Sequence, residues 1–346
     1  MTAPDLTPRV EGVVTLPDGR DLGYAEFGAD DGRPVFWFHG TPGACRQVPL
    51  PARRAATERH LRIISVERPG IGASTPHLYA DLRGFATDID FVAECLGVRD
   101  FAIVGMSGGA PYTLACAHAH PERMRVGVIL GGVAPTTGPE AAPGGVVGLV
   151  RHLAPVLRFV HAPLGAVAGQ FVKALVPIQD PLFSIYCRVS PPGDREVFAD
   201  PEMKAMFLDD LVRGVRTQLH APFLDLILFT QDWGFSVREI EVPIRMYHGT
   251  ADHIVPVSHA RHLTALIPDS VLRVRSGESH MGALDAAEEI YDTILTLWEL
   301  PHVSAARKVA RRAVGTAGLG SPGAGGPTPL HRDATESTGR AADLRD

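Results

Sequence analysis

One stretch constrains this chain more than any other: Phe101-Ala-Ile-Val-Gly-Met-Ser107-Gly-Gly109. Its first part is apolar and rich in β-branched residues, the composition of a buried strand. It runs straight into Gly-x-Ser-x-Gly, and Ala110 to His120 continues with helical character. A strand that becomes a helix within so short a turn strains the backbone at the serine. Gly105 and Gly109 flank it because neighbouring chain must pass where a Cβ would clash. The turn lifts the hydroxyl clear of the sheet. It also aims a helix N-terminus, where negative charge is favoured, at the space above. With 36 glycines in 346 residues, the pattern alone carries little weight. The strand before it and the helix after it supply the specificity.

A serine in such a turn is inert without a base and an acid, and both follow in order. Pro243-Ile-Arg-Met-Tyr-His-Gly249 reads as a buried strand, and Thr250-Ala-Asp252 places a carboxylate on the loop behind it. Val271-Leu-Arg-Val-Arg275 reads as the last strand, and Ser276-Gly-Glu-Ser-His280 puts an imidazole on the next loop. The order Ser107, Asp252, His280 is that of a nucleophile elbow and its partners. His280 would take the Ser107 proton, and Asp252 would fix the imidazole tautomer. Upstream, the strand-like Pro34-Val-Phe-Trp-Phe38 leads into His39-Gly-Thr-Pro-Gly43. In this topology the backbone N–H groups of Thr41 and Gly108 form the oxyanion hole.

On these residues the chain resembles the α/β-hydrolase superfamily over roughly residues 10 to 300. The matching motifs are His39-Gly-Thr-Pro-Gly43, Glu67-Arg-Pro-Gly-Ile-Gly-Ala-Ser74, Gly105-Met-Ser-Gly-Gly109, Gly249-Thr-Ala-Asp252 and Gly277-Glu-Ser-His280. Gly105 through Pro121 and Gln231-Asp-Trp-Gly-Phe235 are similar to a bacterial branch of generic members. Position 106 is Met where many lipases carry His, and Val precedes Gly105. Both departures leave the substrate open.

The rest of the chain fits an α/β fold: a mostly parallel central sheet with helices on both faces. A hairpin is expected over residues 11 to 27, turning at Asp18-Gly19. Further strands are Val35 to Phe38, Arg62 to Val66 and Arg125 to Leu130, with helices at Pro51 to His60 and Asp81 to Leu96. After the sixth strand the alternation breaks. Residues 134–241 carry helical periodicity, with helices expected at Glu202 to Leu219 and Ala221 to Thr230. Such an insertion would be a helical cap roofing an apolar pocket over the serine. The apolar run Val146 to Val176 is interrupted by Pro155 and Pro163, and it reads as cap packing, with weak membrane-surface association as its rival. The expected organisation is a core of residues 1–133 and 242–302, the cap at 134–241, and a tail at 303–346. That tail is basic at Arg307 to Arg312, then Gly/Pro-rich and of disordered composition.

Composition sets the remaining bounds. A formal net charge of −6 gives no general attraction to nucleic acid or anionic membrane. Four scattered cysteines lack metal-ligand spacing and read as reduced thiols. The first residues lack the apolar core of a secretory signal, and no uncharged apolar run of spanning length is evident. A cytoplasmic location is expected. No cofactor and no metal are expected, and the partner is a small apolar acyl substrate.

Several residues compete for these roles. Glu278 and Glu140 fit the strand-end position less well than Asp252. His248 reads as structural, and His253 adjoins Asp252 and points elsewhere. His39 reads as a brace for its own loop, Glu67 and Arg68 as a local network under the Pro69-Gly70 turn, and Trp233 as packing. The resulting expectation is a cofactor-free serine hydrolase of a small to medium apolar ester, thioester or lactone. Serine at 107 excludes epoxide hydrolases and haloalkane dehalogenases, which place aspartate there. Carbon–carbon bond hydrolases, perhydrolases or haloperoxidases, and a receptor-like binding module remain as alternatives.

Overall fold

The computed structural model describes residues 5–145 and 154–301. The tail 303–346, its basic run and the start of the 146–176 apolar run lie outside the described residues. Within them, eight strands form one sheet: β1 (Val10–Thr15), β2 (Asp21–Gly28), β3 (Arg33–Phe38), β4 (Leu61–Val66), β5 (Phe101–Met106), β6 (Met124–Leu130), β7 (Ile244–Gly249) and β8 (Ser270–Arg275). Their spatial order is β1-β2-β4-β3-β5-β6-β7-β8. β1 and β2 pair antiparallel across the Asp18-Gly19 turn, and β2 meets β4 antiparallel. From β4 across to β8 every pairing is parallel.

The described helices are α1 (Leu50–Glu58), α2 (Arg83–Cys95), α3 (Ala110–Ala119), α4 (Ala154–Leu175), α5 (Gln179–Val189), α6 (Pro192–Ala199), α7 (Pro201–Gly214), α8 (Ala221–Phe229), α9 (Ser258–Leu266) and α10 (Ala287–Trp298). Strand alternation explains why the sheet is covered on both faces. Phe36, Phe38, Ile64, Phe101 and Ile103 point into a core shared with α2, α3 and α9. Val35, Trp37, Ile63, Ala102 and Val104 point the other way, onto α1 and α10. Helices α4 to α8 lie between β6 and β7, an insertion of the kind the periodicity predicts.

Two expectations need correction. The 146–176 run is not broken at Pro163, because α4 passes through that residue. Pro163 is exposed, so the carbonyl it leaves without an N–H partner can face water. The helix expected at Glu202 to Leu219 ends at Gly214. By length and composition alone Pro155–Arg188 could cross a membrane, although Arg158, Lys173, Asp180 and Arg188 keep it from being the uncharged run that the sequence expectation excluded. In the structure this segment is α4, a 3₁₀ turn and α5. One side carries Leu175 and Phe183 toward a cavity, and the other exposes Val156, Phe159, Val167 and Phe171. The apolar composition therefore serves the interior on only one side.

The turn after β5 shows why glycine is required beside the serine. A methyl group on Gly105 would fall 2.1 Å from Thr113 Oγ1 and 2.7 Å from the Gly109 carbonyl oxygen. Gly105→Ala is therefore expected to lower stability by about 1–3 kcal/mol through overpacking. Thermal unfolding of the variant beside the wild type reads this directly.

Candidate active site

The C-terminal edge of the parallel strands gathers the candidate residues, as open α/β sheets do with their ligand sites. Ser107 follows β5 with φ of 51°, a left-handed conformation that non-glycine residues rarely adopt. His280 follows β8, and its Nε2 lies 2.9 Å from Ser107 Oγ. Its Nδ1 lies 2.7 Å from Asp252 Oδ2, on the loop after β7. The carboxylate accepts at Oδ2, so Nδ1 carries the proton and Nε2 presents its lone pair to the serine hydroxyl. All three side chains are buried.

Asp252 is held as a carboxylate. Burial opposes its charge, but hydrogen bonds from His248 and His280 outweigh that and keep its carboxyl well below the usual range. Its Oδ1 also accepts the backbone N–H groups of Ile254 at 2.9 Å and Val255 at 2.8 Å. His248 Nε2 sits 2.7 Å from the Val255 carbonyl oxygen and 3.2 Å from Asp252 Oδ2. The rival histidine thus supports the acid and does not face the serine. Glu140 accepts from Ser236 and the Val237 N–H, Glu278 pairs with Arg275, and His253 is exposed.

The loop after β3 lies against the elbow. A Cβ on Gly108 would stand 2.2 Å from Thr41 Oγ1, so the two residues named for the oxyanion hole are in close contact. The Thr41–Pro42 peptide bond is cis. His39 braces this loop: Nδ1 donates to the Gly40 carbonyl at 2.8 Å, and Nε2 accepts the Arg68 N–H at 3.3 Å. Burial, with Arg68 nearby, drives its pKa well below the ordinary imidazole value, so it is neutral.

Glu67 forms the expected local bonds, accepting from the Ala73 N–H at 2.7 Å and the Cys45 thiol at 3.2 Å. Arg68 reaches much further. It donates to the carbonyls of His39 and Gly40 and to Thr41 Oγ1, and it pairs with Asp225 of α8 at 2.8 Å. Asp225 also accepts from Thr41 Oγ1 at 2.6 Å and from Tyr112 Oη at 2.7 Å. Sequence reasoning passed over Asp225, although a lone acid in Ala-Pro-Phe-Leu-Asp-Leu-Ile-Leu-Phe229 signals a buried carboxylate in need of a partner.

Above Ser107 lies a cavity of about 460 Å³. Met106, Leu175, Leu182, Phe183, Phe207 and Met281 supply much of its wall. Asp210 of α7 also reaches it, with its carboxylate bound to two backbone N–H groups. Burial pushes the Asp210 carboxyl up to about 7. Trp233 packs in the core away from this cavity. Among the described residues no group of three or more His, Cys, Asp or Glu side chains is arranged to hold a metal.

A strained serine at a strand-to-helix turn, bonded to a histidine that is bonded to a buried acid, defines a class of architecture. The α/β hydrolase fold family model matches residues 33–287, and the chain belongs to that family. It is 24% identical over 291 residues to a non-heme chloroperoxidase of Streptomyces lividans, covering 81% of this chain and 96% of that one. It is 33% identical over 126 residues to a proline iminopeptidase of Xylella fastidiosa, covering 35% of this chain and 39% of that protein. The chain thus spans about two fifths of that peptidase's length. Among solved structures, an esterase from Rhodococcus sp. ECU1013 superposes with a TM-score of 0.60 at 20% identity, over 83% of this chain and 98% of the esterase. A bromoperoxidase from Bacillus anthracis gives 0.58 at 19% identity, over 84% and 100%. At these identities the structural likenesses speak for the fold.

Proposed function

We propose that this chain is a cofactor-free serine hydrolase of medium-sized apolar carboxylic esters, with Ser107, His280 and Asp252 as its triad. The observation that carries the reading is the unbroken line of hydrogen bonds from Asp252 through His280 to Ser107, ending beneath an apolar cavity. His280 Nε2 takes the hydroxyl proton as Ser107 Oγ attacks the ester carbonyl. The backbone N–H groups of Thr41 and Gly108 receive the oxyanion, and each such donor is worth about 3–4 kcal/mol in the transition state. Imidazolium then protonates the leaving alkoxide, and the acyl group stays on Ser107. Water, deprotonated by His280, attacks the acyl-enzyme and restores the serine. Residues 134–241 act as the cap over this site.

The wall chemistry favours an apolar acyl group over a substrate with a free amine. Asp210 is the carboxylate among the cavity residues, and both its oxygens already accept backbone N–H groups. Burial pushes its carboxyl up to about 7, so near neutral pH it is a weak counter-ion for an ammonium, which speaks against an iminopeptidase-like substrate. The full-length relationship to a chloroperoxidase favours one second reading. Hydrogen peroxide in place of water would release the acyl group as a peracid. Peracid formed from acetate and peroxide by the wild type, and lost in Ser107→Ala, would establish it.

The test is intact-protein mass after treatment with a fluorophosphonate. One adduct per chain, with none on Ser107→Ala, supports the reading, and an ester panel of increasing acyl length should then favour medium chains over acetyl. Folded protein that takes up no adduct refutes it and leaves ligand binding as the role of the cavity.

The held carboxylate also sets a pH profile. A carboxyl with a depressed folded pKa stays ionised until the pH falls well below the usual carboxylate range. Asp252 therefore adds no ionisation of its own to the acid limb of log kcat/KM. In Asp210→Asn, which removes the carboxyl that burial pushes up to about 7, that limb should rise with a slope of one. A slope of two above pH 4 in that variant would contradict this.

A further inference from the structure

We infer that Asp194, Asp210 and Asp225, all carried by the inserted helices, are positioning residues that hold the two reactive loops in register with Ser107. The inference rests on the serine-hydrolase reading above.

Each of the three is 1–2% exposed, and each directs its oxygens at atoms of the loops around the serine. Asp194 lies in α6. Its Oδ1 accepts the Met281 N–H at 2.8 Å and the Ser279 hydroxyl, so its two bonds bracket His280. The helix comes this close because residue 193 is glycine, where a Cβ would fall 2.9 Å from Ser279 Oγ and 3.0 Å from Ser279 N. Asp210, in α7, accepts the N–H groups of Ala44 and Arg46, both at 2.9 Å. Asp225, in α8, accepts from Thr41 Oγ1 and from Arg68, whose guanidinium also holds the carbonyls of His39 and Gly40.

The loop carrying the base and the loop carrying an oxyanion donor are therefore both tied to the same inserted segment. Residues 39–49 contain no helix or strand of their own. Their course depends on such bonds. A buried carboxylate adds little net stability compared with an apolar side chain, but it fixes the direction of an N–H or O–H well. Direction matters here, because a misplacement of about 1 Å in a catalytic array costs on the order of 100-fold in rate.

The second-order rate of phosphonylation by a short-chain fluorophosphonate, which needs little of the cavity, tests this. It is measured on the full chain, well below each variant's thermal midpoint. Asp194→Ala and Asp210→Ala should each react roughly 10- to 100-fold more slowly than wild type while still reaching one adduct per chain. Asp194→Asn keeps an oxygen at the position that accepts both bonds and should stay within about threefold. Arg54→Ala breaks the exposed Arg54–Glu202 pair between α1 and α7 and touches neither loop, so it should react as wild type does. Should Asp194→Ala not fold, Ser279→Ala removes one of its two bonds and carries the test, with a loss of roughly three- to tenfold.

Folded Asp194→Ala that reacts at the wild-type rate overturns the inference. Equal slowing in Arg54→Ala also overturns it, since any loosening of the insertion would then suffice. A wild type that takes up no fluorophosphonate strikes the serine-hydrolase reading instead.

Discussion

Ser107→Ala is expected to lower kcat/KM on a medium-chain aryl ester by roughly 10⁴- to 10⁶-fold while leaving the fold intact. The loss is this large because nucleophile and base act as a unit: without Oγ, His280 has no proton to take and no acyl-enzyme forms. Residual turnover above that of water would come from the Thr41 and Gly108 N–H groups and from cavity binding. Loss of the variant's circular-dichroism signature or midpoint would make the comparison a folding effect. A folded variant within tenfold of wild type would remove Ser107 from the mechanism. KM for a ligand held mainly by the cavity wall should change little, since the substitution leaves that wall in place.

Asp225→Ala should produce the largest loss of stability among single substitutions near the site, about 3–5 kcal/mol. The variant leaves the buried Arg68 guanidinium without its carboxylate, and it deprives Tyr112 Oη and Thr41 Oγ1 of an acceptor. For a domain of this size the thermal midpoint should fall by roughly 5–8 °C. Asp225→Asn keeps an acceptor for some of these donors and should lose less. A midpoint within 1 °C or so of wild type for Asp225→Ala would show that water reaches Arg68 and that the pair is not sealed.

Much of the candidate site's geometry was legible because its parts are local. Ser107, Asp252 and His280 each sit within a few residues of a strand end, where glycine and apolar runs punctuate the chain visibly. The parallel sheet was legible for the same reason. The three inserted aspartates were not, because their partners lie 85 to 184 residues away and no local pattern links Asp194 to Met281 or Asp225 to Thr41. The path of α4 through Pro163 was hidden too, since only tertiary placement shows that its freed carbonyl can face solvent. Arg68 was half legible. Its neighbour Glu67 bonds within the turn as expected, whereas Arg68 spends its donors on the loop after β3 and on α8.

The loops that carry His280 and Thr41 owe their placement to α6, α7 and α8, and this constrains how such a protein can be redesigned. Exchanging residues 134–241 for the equivalent segment of a relative would change the cavity wall and remove the anchors of the reactive loops in one step. A graft chosen only for its apolar surface would give a destabilised and sluggish chimera. One that retains carboxylates facing Ser279, Ala44 and Thr41 would keep its chemistry while its acyl preference moves.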